Sequence, residues 1–503
     1  MPDSDDDPWG FIAPKKRDVP TANDPEAAPE ALTPAAEPTT GPSDEPSDGL
    51  DDLAAIGKAS VRSHRERGEL RAEMGGPSLR RRAWPLALAL GLLVFAGYLT
   101  EIVASSQMLA IVGPTAPLYI FPLGGLGLII IALVQFRFID HRARLPMIRA
   151  VAGAYALAFA IATTLLLNSV VPAISIGFVW ILADQLNFLM PLLLWSLASD
   201  EFNVAESRKI YPWVVTWAYG GQVLGLAVAA VSPWILTSLD IPMGWLLVLP
   251  PVICAFIAFW LPRALRDSHA AKGSDQHVTT GESLASAREF IAGVPVWRHF
   301  LIAAILTFIS GLTLYLMFLV EAEDVVGADA ARLQTILGFA ALIWFLLCWA
   351  IQSWGAERLQ NRIGIPGVLL LLPIAAIAAG VIMTIGSFTA TLAILIVGVS
   401  LWVIPRYSID ENARRSALAF VPDERRARVS FVVDLLPVAL GLIVSGPLAL
   451  IGALTGKYWI VAIACIIIAA IALIPSLAVR RQWEDSLLNW RLRRRKQNRT
   501  LEL

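Results

Sequence analysis

Glu206-Ser207-Arg208-Lys209-Ile210-Tyr211-Pro212-Trp213-Val214-Val215 has a counterpart about 218 residues further on, in Glu424-Arg425-Arg426-Ala427-Arg428-Val429-Ser430-Phe431-Val432-Val433. In both, a glutamate and an arginine lead, at the same internal spacing, into an aromatic residue followed by two valines. A second match falls in nearly the same register: Arg142 and Pro146 against Arg362 and Pro366, about 220 residues apart. Short coincidences are common, but two in nearly one register argue for a duplicated unit. Each copy stands where a charged turn gives way to an apolar run, so the unit is a set of apolar helices.

Composition agrees. The 503 residues are 56% hydrophobic and only 16% charged, with a mean hydropathy of +0.63. A soluble chain of this size needs more polar surface, so the class is an all-α polytopic membrane protein. The net charge of −1 says little, because the charges are segregated along the chain. Cys254, Cys348 and Cys465 lie in apolar stretches without close spacing and read as small core residues. No cleavable signal peptide is expected; the first apolar run begins near Trp84.

Residues 1–82 are rich in Pro, Ala, Asp, Glu and Ser and read as a disordered cytoplasmic arm. The arm opens acidic and turns basic, with a short helix expected over 50–74. Trp9-Gly10-Phe11 reads as a stray aromatic pair in a linker, with docking to a protein partner as the alternative. Arg80-Arg81-Arg82 precedes the first span and is expected at anionic headgroups.

About 20 apolar residues cross a bilayer. Reading at that length gives spans near 84–105, 115–137, 147–168, 172–198, 209–236 and 242–262, then 297–320, 331–354, 365–386, 388–412, 429–453 and 456–479. The expected organisation is two six-helix halves, 83–262 and 297–480, joined by a cytoplasmic linker, 263–296, and followed by a basic tail, 481–503. Arg137, Arg142 and Arg144, Arg208 and Lys209, and the Arg414–Arg428 loop all fall on one side. Positive charge stays inside, which places both termini in the cytoplasm of a plasma or inner membrane. The tail, with Arg491, Arg493, Arg494, Arg495 and Lys496 beside Trp483 and Trp490, reads as an interfacial helix on the lipid bilayer, not a nucleic-acid site.

The six-plus-six plan with a central linker resembles the major facilitator superfamily. Phe138-Ile139-Asp140-His141-Arg142-Ala143-Arg144 looks like a divergent form of its loop between the second and third helices. Gly355-Ala356-Glu357-Arg358-Leu359-Gln360-Asn361-Arg362-Ile363-Gly364 looks like the second-half copy. Trp195, Asp200, Phe202, Ala205, Arg208, Tyr211, Gly220, Gly221 and Gly225 resemble the ATP/ADP translocase-like branch and its bacterial relatives. Pro422, Glu424, Arg426, Arg428, Asp434 and Gly441 resemble the matching second-half segment. The nucleotide exchangers resemble one another in carrying basic residues inside the membrane. The first span here has no Lys or Arg after Arg82, and its ionisable residue is Glu101. The resemblance therefore implies the fold and not a nucleotide substrate.

That fold implies that helices one, four, seven and ten line a central cavity. Helix four carries Asp184, Gln185 and Asn187 between Trp180 and Trp195. A carboxylate at such depth is costly unless it is paired, protonated or facing water. Asp184 and Asn187 share a face and are read as a substrate or proton site, with an interhelical clamp as the alternative; Gln185 points elsewhere. Helix ten ends in Arg406, Tyr407, Asp410, Glu411 and Arg414. Arg406 is read near the inner mouth, with Asp184 or Asp410 as partner. Glu101 and Glu321 are placed near the outer face, Glu321 as a solvated loop end. Helix seven offers Thr307, Ser310, Thr313 and Tyr315 as neutral hydrogen-bonding groups. Gly124, Gly125, Gly127, Gly220 and Gly221 read as close-packing positions. A gating latch is expected between Arg142, Arg144, Glu206 and Arg208 on one half and Arg362, Glu424 and Arg426 on the other. Asp434 is expected to hold an arginine such as Arg414 or Arg428.

The five histidines all fall in or beside polar loops, and no catalytic, cofactor or metal motif is present, so no enzyme, cofactor or metal is expected. The favoured function is a secondary transporter of a small polar or charged solute working by alternating access, with proton coupling permitted by Asp184 and Glu101. The alternative is a transport-inactive scaffold that recruits partners through its arm.

Overall fold

The computed structural model describes residues 76–139, 144–202, 204–266, 288–418, 421 and 423–501. The N-terminal arm up to residue 75, the helix expected over 50–74 and most of the linker lie outside them. Among the described residues there are helices and no strands, and twelve helical segments are long and apolar enough to cross a membrane. They are Leu79–Val112, Ala116–Val134, Leu145–Leu167, Pro172–Ala198, Lys209–Ser238 and Met243–Ala264 in the first half. In the second they are Pro295–Val326, Ala330–Trp354, Leu371–Thr389, Leu392–Leu418, Val432–Thr455 and Tyr458–Asp485. We call these spans one to twelve. Twelve crossings put both ends of the described chain on one face, called here the terminal face.

Apolar side chains turn outward where lipid would lie. Leu157, Ile174, Trp234, Leu454 and Ile474 are exposed around the rim, while Leu99, Phe159, Leu186 and Phe318 are buried within it. Without water between helices, association depends on close packing and interhelical hydrogen bonds. Gly221 faces the backbone of Gly91, and Gly125 faces that of Ala439, as the small residues require; Gly220 faces open space.

The packing pattern carries the duplication into three dimensions. Span one lies along span five as span seven lies along span eleven. Span three lies along span six as span nine lies along span twelve. Between the halves, span two packs on span eleven and span five on span eight, which are the same contact exchanged by the repeat. Two close crossings between the halves lie toward the face opposite the termini. A Cβ on Gly338 would stand 2.8 Å from the Ala230 Cα, and one on Gly446 would overlap the Leu118 carbonyl. There Gln334 Nε2 donates to the Ala229 carbonyl at 2.9 Å and to Ser232 Oγ at 3.0 Å.

Several boundaries differ from the sequence reading, three of them on the terminal side or in span one. The first helix starts at Gly76 and runs to Val112, well beyond 84–105, because buried Ser105, Ser106 and Gln107 continue it past the apolar run. Phe290, Ile291 and Val296, expected in the linker, are buried with Trp297, Val368, Ala413 and Trp483. Their apolar side chains are covered by the terminal-face ends of the second half, so the linker ends earlier than 296. Span nine begins at Leu371, after a separate helix, Ala356–Leu369, that is kinked at Gly364, where φ is 71°.

Candidate functional site

Span one packs on span four, span seven packs on span ten, and spans one and seven touch. Glu101, Asp184, Asn187, Tyr315 and Tyr407 keep partial exposure among these helices, and the region they share is called here the chamber. On its first-half wall, Asn187 Nδ2 donates to Glu101 Oε2 at 3.1 Å. Gly97, one turn before Glu101, makes room: a Cβ there would overlap Asn187 Oδ1. Asp184 sits one turn from Asn187 and reaches toward span two, its Oδ2 3.2 Å from where a Gly124 Cβ would stand. Glu101 and Asp184 are near enough to interact electrostatically. The structure thus brings three of the expected residues, Glu101, Asp184 and Asn187, to one wall.

Glu101 is a correction in depth. It was expected near the outer face, but the helix continues eleven residues beyond it to Val112, so it lies inside the bundle beside Asn187. Gln185 points elsewhere, as read: it is fully buried and its Nε2 donates to the Gly124 carbonyl at 3.2 Å, clamping span four to span two. Glu321 is also corrected. It is 6% exposed and accepts from Ser387 Oγ at 2.6 Å, because span seven runs on to Val326 and packs against span nine.

Span ten forms the opposite wall and is irregular. Leu392–Pro405 is α-helical, Arg406–Asp410 makes a π-turn, and Glu411–Leu418 resumes the α-helix. A π-turn inserts a residue and re-aims the side chains around it. Arg406 is buried, with its guanidinium 4.5 Å from the Phe308 ring centre and 5.1 Å from that of Tyr407. Its nearest described carboxylate is Glu411, at 3.9 Å. Neither expected partner holds it by an ion pair. Asp410 instead faces Arg414, whose Nε is 2.9 Å from Asp410 Oδ2 and whose Nη1 is 3.5 Å from Asp434. Asp410 and Arg414 line a narrow crevice with Thr307, Phe308 and Ser476, inside the second half. Asp410 is therefore set apart from the first-half acids.

Tyr315 from span seven is half-buried, 6.2 Å from Phe121 by ring centres, and close enough to Glu101, Asp184 and Tyr407 to interact electrostatically. Several residues were not singled out from sequence. Tyr98, one turn from Glu101, meets Phe345 edge-on at 5.2 Å, and Phe345 meets Tyr407 at 5.1 Å. Gln352 Nε2 donates to the Tyr407 carbonyl at 2.7 Å, at the π-turn, while its Oε1 accepts from Tyr219 of span five. The i, i+3 spacing of Tyr98 and Glu101 was a readable signal; nothing in the sequence links Gln352 to Tyr407.

The expected latch is drawn differently by the residues that are described. Glu206 is 3.1 Å from Arg82, which also lies 3.0 Å from Glu201. Arg82 is thus tied to the ends of spans four and five, not free at a headgroup. The ion pairs of Arg82, Arg406, Arg414 and Arg415 each stay within one half. Arg362 is exposed. Arg142, and the side chains of Arg144, Arg208, Glu424 and Arg426, lie outside the described residues. Among those described, no group of His, Cys, Asp and Glu could hold a metal ion.

The chain matches no family model and no curated protein by sequence. Its fold does match solved structures. The nucleoside transporter NupG superposes with a TM-score of 0.57 at 14% identity, over 79% of this chain and 99% of that one. A bacterial homologue of the lysosomal transporter Spinster, inward-facing and unoccupied, gives 0.55 at 15% identity, over 81% and 98%. A bacterial homologue of the iron transporter ferroportin gives 0.56 in its inward-facing state, at 14% identity over 79% and 98%, and 0.51 outward-facing with iron, at 13% identity over 79% and 99%. The chain therefore shares its twelve-helix fold with these solved transporters.

Proposed function

We propose that this protein is a secondary active transporter that moves a small polar or charged solute across the inner membrane by alternating access. The observation that carries this reading is the chamber. Glu101, Asp184 and Asn187 of one half and Tyr315, Tyr407 and Arg406 of the other gather at the depth where ionisable groups are costly and mark pathways. The moving bodies are the halves 83–262 and 297–480. The terminal face is the cytoplasmic one, from the arginines of its loops. Tight crossings at the far face, and the higher TM-score to the inward-facing ferroportin homologue, support a state open to the cytoplasm. Arg142, Arg144, Arg208, Arg362, Glu424 and Arg426 would then approach one another as that face closes.

Glu101 and Asp184 are the candidates to carry a coupling proton. The segments around Trp195–Gly225 and Pro422–Gly441 favour kinship with the ATP/ADP translocase-like branch, but with a cargo other than nucleotide. The test is uptake by proteoliposomes. Loss of uptake in Asp184→Asn and Arg406→Ala, with both variants monodisperse, is expected. Unchanged uptake in both would remove the site assignment. A stoichiometric co-purifying partner, with no solute taken up or stabilising the protein, would replace transport by scaffolding.

A further inference from the structure

The chamber is charged unequally from wall to wall. Two carboxyls, Glu101 and Asp184, stand on the first-half wall with one amide, and no described Lys, Arg or His pairs with either. Asn187 Oδ1 is buried without a hydrogen-bond partner. A ligand that satisfies this wall brings donors and positive charge.

The second-half wall has the opposite need. Around the π-turn, Arg414 is taken by Asp410 and Asp434, and Arg415 by Glu411. Arg406 has only the longest of these ion pairs, to Glu411. It is 6% exposed, its Nη1 has no hydrogen-bond partner, and its closest carboxylate oxygen is 3.9 Å away on a glutamate already engaged by Arg415. The rings of Phe308 and Tyr407 hold the guanidinium plane but accept none of its in-plane hydrogen bonds. A planar anion such as a carboxylate meets that fork with two hydrogen bonds.

The two walls are linked by a continuous aromatic run. Tyr98 lies one turn from Glu101 on span one. Tyr98 to Phe345, Phe345 to Tyr407, and Tyr407 to the Arg406 guanidinium are three successive contacts of 5.2, 5.1 and 5.1 Å. These rings come from spans one, eight and ten, so the run crosses from one half to the other.

We propose that the cargo is zwitterionic. Its ammonium group lies between Glu101 and Asp184, its carboxylate meets Arg406, and its body rests on Tyr98, Phe345 and Tyr407. This rests on the transporter reading above. A simple cation leaves Arg406 unmet. A nucleotide or other polyanion faces two carboxyls with one loosely paired guanidinium to receive it. A zwitterion satisfies both walls and draws the halves together, because each half binds one end.

The test is a thermal-shift and counterflow screen of the purified full-length chain. The probes are the twenty amino acids, ω-amino acids of increasing length, and dipeptides. Each is matched with its amide, which removes the anion, and its N-acetyl form, which removes the cation. The expected result is stabilisation by one or more zwitterions, with each matched analogue bound at least about tenfold more weakly, a difference of about 1.4 kcal/mol. Arg406→Gln should bring acid and amide to equal affinity. Asp184→Asn or Glu101→Gln should bring amine and acetylated amine to equal affinity. Each variant loses discrimination at one end only, which a merely misfolded protein would not do. Where Arg406→Gln is not monodisperse, Arg406→Lys keeps the charge and should retain a reduced preference for the acid. Transport of a neutral or singly charged solute in preference to every zwitterion would overturn the proposal and leave the transporter reading standing. No solute moved or bound, beside a stoichiometric protein partner, would overturn both.

Discussion

Asn187 shows how one side chain is set by its surroundings. It reaches Glu101 only because Gly97 has no Cβ in its way. Gly97→Ala should push Asn187 off Glu101 at a cost of about 1–3 kcal/mol from overpacking. The check is a lower Tm in detergent with uptake reduced more than the stability loss explains; a Tm and uptake equal to the parent would refute the contact. Arg414 is a structural residue by the same standard, because both of its carboxylates lie in its own half. Arg414→Ala leaves a buried Asp410 without its partner, and should cost about 3–5 kcal/mol. The double substitution Arg414→Met with Asp410→Leu should regain much of that loss in a thermal-denaturation series, since neither member of the pair is then left without the other.

At the scale of elements, span ten is the one that departs from a plain helix at the site. Its π-turn leaves the Tyr407 carbonyl to Gln352, and Gln352 in turn accepts from Tyr219 in the other half. Deleting Ser408 should restore α-helical register and rotate Arg406 away from Phe308. The expected outcome is a folded protein that no longer takes up solute; retained uptake would show that the π-turn is dispensable. Gln352→Leu should weaken the link between spans five, eight and ten. It is expected to raise maleimide labelling of a cysteine placed at Gln222, itself buried on span five, relative to the parent background. The two-half plan, the helices and the polar character of spans four and ten were legible in the sequence, since periodic apolar length and isolated ionisable residues are local properties. The π-turn was not, because Arg406-Tyr407-Ser408-Ile409-Asp410 reads like any helical end.

For the whole molecule, the repeat-related crossings, span two on eleven and span five on eight, are the surfaces about which two halves would rock. Ser232 and Gln334 touch across the second of these, near the face opposite the termini. A reducible bismaleimide linking Ser232→Cys to Gln334→Cys should hold that face shut. Uptake should fall on cross-linking and return on reduction; uptake that is indifferent to the cross-link would argue against rocking. Native Cys254, Cys348 and Cys465 are buried, which favours selective labelling.

The sequence by itself determined the membrane class, the number of crossings and the duplication, because each depends on apolar length, charge placement and spacing along the chain. It also marked Asp184, Asn187, Glu101 and Arg406 as costly residues for a bilayer. Only the tertiary structure decided which of them act together. Depth and partnership depend on where a helix ends and what lies across from it. Span one ran further than its apolar stretch and carried Glu101 inward to Asn187. Asp410 turned to Arg414 and left Arg406 without a close partner. Of the charges expected to latch one half to the other, Glu206 meets Arg82 of its own half and Arg362 is exposed.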